Sequence, residues 1–173
     1  MKLFIPLALL LLPACASAPL ASTYNVEIDN TFSADQTEQI MAALDQWHAK
    51  TGATFAPVIK AVSPAQGDSG TIYIHHAMAW EATSVDASAV AYTKTLPGAL
   101  SPSNLTGGIG GIDGGTVLMP DLEGWKFHTS VLHELGHAMG LHHDYAGTVM
   151  CRSAGCSAHD ITESDVIQWR SYR

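Results

Sequence analysis

The chain has 173 residues, of which 47% are hydrophobic and 14% are charged. This length fits one domain, and the large apolar fraction excludes a disordered acidic protein. A formal net charge of -8 argues against a nucleic-acid partner, because such proteins present a basic face to the phosphates. Nine histidines are many for this length, and five of them fall between Phe127 and Asp144.

Residues 1–14 form a predicted signal peptide. Lys2 precedes an apolar run over residues 3–12, which is long enough for a secretory signal and too short to span a membrane. The run ends in Leu12-Pro13-Ala14-Cys15, which resembles a bacterial lipobox. Lipidation of Cys15 would give a cell-envelope lipoprotein, whereas ordinary cleavage at the neighbouring alanines would give a periplasmic or secreted protein.

A short tether over residues 15–23 leads into one predicted domain over residues 24–173. Alternating apolar residues predict strands, and apolar residues at helical spacing predict helices. The predicted strands are Tyr24–Ile28, Phe55–Ile59, Ile72–His75, Val90–Tyr92 and Thr116–Met119. The predicted helices run from a Ser33 or Asp35 cap to Gly52, from Trp125 to Met139 and from Ile161 to Tyr172. In the last helix, Thr162 and Asp165 nearly match a capping box. Strands on both sides of a helix, followed by a helical end, indicate the α+β class.

The chemistry is concentrated in the run His133–His143, with the sequence HELGHAMGLHH. His133 and His137 are four residues apart on a predicted helix, so their rings share one face and can bind one Zn²⁺ together. Glu134 is placed to take a proton from zinc-bound water. After a helix end at Gly140, the chain can return His143 as a third ligand, which leaves the fourth position open as in catalytic zinc sites.

The three cysteines divide between two predicted roles. If Cys15 carries lipid or leaves with the signal, Cys151 and Cys156 remain and close a small loop. A disulfide there would persist in an oxidising compartment. A metal role for this pair is less favoured, because the chain has no second cysteine pair to complete a Cys-type zinc site.

At this point the sequence resembles the metzincin metalloproteases, whose extended motif is matched by the residues His133, Glu134, His137, Gly140 and His143. Met150 lies seven residues after the third histidine, where metzincins carry the methionine of their Met-turn. The resemblance therefore implies that Met150 supports the metal site from beneath and is not a ligand.

Within the metzincins the sequence is most similar to the matrixins, through the segments 39–47 and 161–172 as well as the zinc motif. Asp144, which follows the third histidine, departs from the serine usual in matrixins and is similar to the adamalysin branch. We expect Asp144 to support the site structurally, and the subfamily stays open at this point.

The resemblance implies a zincin fold, with a twisted mixed sheet of about five strands, three helices and a cleft between a larger N-terminal and a small C-terminal subdomain. An extended substrate would pair with an edge strand near Gly108–Ile112, and the Cys151–Cys156 loop would form part of the pocket wall. The implied function is an exported zinc endopeptidase that cleaves proteins or peptides, with Glu134 as the general base.

Two other functions stay open at this stage. A non-catalytic envelope lipoprotein could keep zinc for stability, although such a site would favour a fourth protein ligand and would not need Glu134. A zinc hydrolase acting on peptidoglycan would also fit the predicted localisation to the cell envelope. The tether over residues 15–23 leaves no room for a propeptide, so we expect no classical zymogen.

Further metal sites are weaker candidates. His75 and His76 with Asp86 form a possible second zinc site, although the His-x-Asp pattern of matrixins is absent. The loop 107–115 with Asp113 could bind Ca²⁺, but flexible turns explain its glycine-rich sequence equally.

His142 competes with His143 as the third zinc ligand, although the motif spacing favours His143. We expect one catalytic zinc, a monomer, no nucleic-acid partner, and membrane contact only through lipid at Cys15.

Overall fold

The structure is a computed structural model that describes residues 23–61, 70–76, 92–95, 114–145, 147–152 and 158–171. Its strands and helices, in chain order, are β1 (Thr23–Asp29), α1 (Ala34–Thr51), β2 (Thr54–Lys60), β3 (Thr71–His76), β4 (Tyr92–Thr95), β5 (Gly114–Met119), α2 (Gly124–Ala138) and α3 (Glu163–Ser171). The predicted signal peptide, Cys15, Cys156 and the predicted edge strand near Gly108–Ile112 lie outside the described residues.

The strands form one five-stranded sheet in the order β2-β1-β3-β5-β4. β1 pairs in parallel with β2 and with β3, β3 pairs in parallel with β5, and β4 runs antiparallel to β5. Parallel neighbours need a crossover connection, and α1 provides the one between β1 and β2. The predicted α+β class, with a mixed five-stranded sheet and three helices, is therefore confirmed.

Helix ends follow the local chemistry of the chain. Of the two predicted caps of α1, Ser33 is the one used: its Oγ accepts from the Gln36 N–H at 3.2 Å, and Gln36 Oε1 accepts from the Ser33 N–H at 3.0 Å. α3 begins at Glu163, two residues later than predicted. The expected capping box is present, since Asp165 Oδ2 accepts from the Thr162 N–H at 2.8 Å and Thr162 Oγ1 accepts from the Asp165 N–H at 3.5 Å.

One apolar core joins the sheet to the helices. Its strand residues include Ile28, Ile72, Ile74 and Val117, and its helical residues include Ile40, Leu44, Trp47, Leu132 and Leu135. The buried Trp47 Nε1–H donates to the Leu132 carbonyl at 3.1 Å, which fixes α2 against α1. No helix among the described residues is long and apolar enough to cross a membrane.

We expect Trp47→Phe to lower the free energy of unfolding by about 2 kcal/mol, because it leaves a cavity and removes the N–H that serves Leu132. Urea denaturation measures this loss. Trp125 is 63% exposed and gives the matched control, so Trp125→Phe should change stability by less than about 0.5 kcal/mol. Equal losses in the two variants would contradict the role given to Trp47.

Candidate metal centre

α2 presents two histidines beside its buried face. Its fully buried apolar residues recur at helical spacing and are Phe127, Val131, Leu132, Leu135 and Ala138. His133 and His137 lie one turn apart on another side of the helix and are only half-buried. The helical periodicity that buries one face of α2 in the core therefore leaves both imidazoles at the edge of that buried face.

The chain reverses sharply at the end of α2. Gly140 has a φ of 94°, in the left-handed region that favours glycine. The Gly140 N–H donates to the His137 carbonyl at 2.9 Å, and the Leu141 N–H donates to the Gly136 carbonyl at 2.9 Å. This pair of hydrogen bonds is a Schellman motif, and it turns the following residues back towards the helix.

Three imidazoles converge as a result of this turn. His137 Nε2 lies 3.1 Å from His133 Nε2 and 3.2 Å from His143 Nε2. Among the described residues, these three form the only group of three or more His, Cys, Asp or Glu side chains that could hold one metal ion, with ligand atoms within 4.8 Å of one another. Two nitrogens at ~2.0–2.1 Å from a tetrahedral zinc lie about 3.3–3.4 Å apart, so this arrangement fits a zinc ion.

Backbone carbonyls orient two of the rings. His133 Nδ1 donates to the Val149 carbonyl at 2.7 Å, and His137 Nδ1 donates to the Leu141 carbonyl at 2.8 Å. A proton held at Nδ1 leaves the Nε2 lone pair free to face a metal.

Burial favours the neutral form of the His137 and His143 rings. Loss of solvent, together with the neighbouring His133, lowers the pKa of His137 to about 3. Burial also lowers the pKa of His143. Both rings are therefore neutral at neutral pH, which is the form that binds a metal.

Two carboxylates flank the ligands. Glu134 is buried, with 6% of its surface exposed, and it follows His133 on α2. Asp144 follows His143, and its backbone N–H donates to the Met150 carbonyl at 2.9 Å. Its Oδ1 accepts from the Tyr145 N–H at 2.8 Å. Asp144 thus joins the loop that carries the third histidine to the segment around Met150.

Met150 lies beneath α2 and is fully buried. Its side chain fills the space beside Gly136: a Cβ at that glycine would overlap Met150 Sδ and lie 3.3 Å from Trp47 Cζ2. Gly136 is not among the site residues predicted from the sequence. A lone glycine inside a predicted helix was the available signal, because such a residue often marks a close packing contact.

Asp165 has a larger role than the predicted helix cap. Its carboxylate is completely buried, and it accepts from the Val149 N–H at 3.2 Å and from the Met150 N–H at 3.3 Å. The capping pattern in the sequence indicated only the local contact with Thr162, since the contact with residues 149 and 150 depends on tertiary structure.

The other predicted site residues do not join the cluster. The backbone N–H of His142 donates to Gln168 Oε1 at 2.6 Å. His75 Nδ1 lies 2.7 Å from Asp29 Oδ2, and His76 Nε2 lies 3.1 Å from Asp121 Oδ1.

The remaining candidates involve residues outside the described part of the chain. Asp86 and Asp113 lie there, so the second zinc site and the calcium site stay predictions. Cys151 is disulfide-bonded, and its predicted partner Cys156 also lies outside the described residues.

We expect Gly136→Ala to lower the free energy of unfolding by about 1–3 kcal/mol, because overlap with Met150 outweighs the better helix propensity of alanine. In a Met150→Ala background this loss should shrink or reverse sign, since the overlapping atoms are gone. Chemical denaturation of the four proteins in this double-mutant cycle measures both values. The same loss in both backgrounds would contradict the contact.

The comparisons with known proteins point to one family. The matrixin family model matches residues 19–170. No curated protein matches the chain.

Two solved structures share part of the architecture. The chain is similar to high choriolytic enzyme 1, a hatching enzyme zinc-protease from the medaka fish Oryzias latipes, with 15% identity and a TM-score of 0.43 over 71% of this chain and 46% of that one. It is also similar to myroilysin, with 20% identity and a TM-score of 0.43 over 70% of this chain and 49% of that one. The chain spans about half the length of each. Because the family model covers nearly the whole sequence, the chain belongs to the matrixin family of peptidases.

Proposed function

We propose that the chain is an exported zinc-dependent endopeptidase that hydrolyses peptide bonds in proteins. The observation that carries this proposal is the convergence of the His133, His137 and His143 Nε2 atoms. Three protein ligands leave a fourth position for water, as catalytic zinc sites do. Membership of a peptidase family supports the same reaction.

Glu134 is the proposed proton carrier. When bound, zinc would lower the pKa of a water molecule and polarise the scissile carbonyl. The Glu134 carboxylate accepts the proton that the attacking water loses, and then passes it to the leaving amine nitrogen as the C–N bond breaks. Its position on α2 directly after His133, with little solvent around it, suits this transfer.

The edge of the sheet is the proposed binding surface for an extended substrate. β4 pairs with β5 and is the last strand of the described sheet on that side. Its backbone also lies close to α2, the helix that carries two of the three histidines. A peptide that adds to the outer edge of β4 would gain backbone hydrogen bonds along its length, which is the usual mode of strand addition. The substrate-pairing strand predicted near residues 108–112 lies outside the described part of the chain, so β4 is proposed from the described strands alone.

Glu134→Gln should retain one zinc per chain and lose peptidase activity about 10²–10⁴-fold, because the amide cannot accept the proton. Zinc content by atomic absorption and cleavage of a quenched peptide measure the two effects. Glu123→Gln is the matched control, since that residue is exposed at the start of the same helix, and it should leave both values unchanged. A Glu134→Gln protein with wild-type activity would show that this carboxylate is not the general base.

Zinc binding, peptide cleavage and peptidoglycan cleavage by the wild-type protein separate the two alternative functions. A wild-type protein that binds zinc and cleaves peptidoglycan but no protein or peptide would point to a wall hydrolase. One that binds zinc and cleaves neither would point to a non-catalytic binding protein. Loss of protein cleavage on chelation, with recovery on zinc addition, is the result we expect.

Export and anchoring form a separate part of the proposal. The apolar run before Cys15 supports passage across a bacterial membrane, and the lipobox-like sequence supports lipidation of that cysteine. We propose Cys156 as the disulfide partner of Cys151, because the six-residue segment between and including them is short and such bonds persist outside the cytoplasm.

In bacterial cells the wild-type protein should incorporate labelled fatty acid and fractionate with membranes, whereas Cys15→Ser should do neither. Cys156→Ser is the control, and it should keep the label because Cys156 lies far from the signal. A wild-type protein that is exported without label would favour ordinary signal cleavage.

A further inference from the structure

We propose that the N-cap and first turn of α3 position two of the three proposed zinc ligands, His133 and His143. This segment, here called the α3 clamp, comprises the cap residue Thr162 and the first-turn residues Ser164 and Asp165. The proposal rests on the proposed function in one respect, namely that zinc is the metal bound by the histidine cluster.

Asp165 provides the first contact of the α3 clamp. Its Oδ2 and Oδ1 accept from the backbone N–H groups of Val149 and Met150 at 3.2 and 3.3 Å. The Val149 carbonyl in turn accepts from His133 Nδ1 at 2.7 Å. A continuous series of hydrogen bonds therefore runs from α3 through the Met150 segment to the first histidine.

Ser164 provides the second contact. Its Oγ–H donates to Asp144 Oδ2 at 3.1 Å, and Asp144 is the residue after His143. His143 is the most exposed of the three histidines, so packing restrains its ring less than it restrains the others. The hydrogen bond to the neighbouring aspartate supplies a restraint that packing does not.

Helix capping alone does not account for these contacts. Capping explains the hydrogen bonds from Thr162 to Asp165, at 2.8 Å from the backbone N–H and 2.6 Å from the hydroxyl. It does not explain why the same carboxylate is completely buried and bonded to Val149 and Met150. A buried carboxylate requires hydrogen-bond donors, and two of the four that serve Asp165 are the backbone N–H groups of Val149 and Met150.

The test compares metal binding in Asp165→Asn and Ser164→Ala with two matched controls. Asp160→Asn changes a carboxylate that accepts only the adjacent Ile161 N–H at 2.7 Å among the contacts described, and Ser171→Ala changes a hydroxyl that donates to Gln168 at the far end of α3. Zinc affinity is measured by chelator competition, ligand geometry by the absorption spectrum of the Co²⁺-substituted protein, and stability by melting of the metal-free protein.

We expect Asp165→Asn to weaken zinc binding about 10–100-fold, the usual effect of removing a group that orients a metal ligand. Ser164→Ala should weaken it by a smaller factor, and both should alter the Co²⁺ spectrum. The two control variants should bind zinc as the wild type does and keep its Co²⁺ spectrum.

An Asp165→Asn protein that melts earlier but keeps the wild-type zinc affinity and Co²⁺ spectrum would overturn the positioning role. If that variant does not fold, Ser164→Ala decides, and an unchanged spectrum and affinity there would overturn the proposal. A wild-type protein that binds no zinc would overturn both this inference and the proposed function, whereas a zinc-binding wild type with unchanged variants would overturn this inference alone.

Discussion

The reversal of the chain at Gly140 is the constraint on which the candidate metal centre depends. A straight helix can present two imidazoles four residues apart to one ion, but a third must come from outside that row. The left-handed glycine and the two hydrogen bonds that close the end of α2 bring His143 back to the pair within five residues of the helix end at Ala138. Without this turn the sequence would hold two ligands on a helix and a third directed elsewhere.

The site is held from several directions because α2 has a different neighbour on each side. Trp47 of α1 hydrogen-bonds to its backbone, and Met150 packs against Gly136 one residue before the second histidine. Beyond this methionine lies Asp165, whose buried carboxylate bonds to the Met150 segment. Two histidines of the cluster therefore lie on a helix that the core and α1 restrain. The loop that follows this helix is restrained by α3. Such support matters for metal affinity, since small displacements of a ligand weaken binding.

Much of this arrangement follows from local sequence. The spacing of His133 and His137, the glycine at position 140 and the capping residues Ser33 and Thr162 act within one or two helical turns, so periodicity and cap chemistry predict them. The α+β class follows from the order of strands and helices. β4 continues to Thr95, beyond the predicted end at Tyr92, because pairing with β5 determines how far an edge strand extends. Contacts between helices were equally out of reach of the sequence: the ring nitrogens of His128 lie 3.2 Å from the Gln39 carbonyl and 3.3 Å from Gln46 Oε1 of α1.

The sequence by itself therefore determined the chemistry of this protein: an ordered set of imidazoles with an adjacent carboxylate, on a helix that ends at a glycine. Only the tertiary structure decided which groups hold that chemistry in place, namely the Val149 and Leu141 carbonyls, the Met150 side chain beneath Gly136, and the Asp165 carboxylate. The physical reason is the separation along the chain over which each interaction acts. Helical periodicity and capping act between residues a few positions apart, whereas burial of a carboxylate and close packing beside a glycine depend on segments that meet only when the chain has folded.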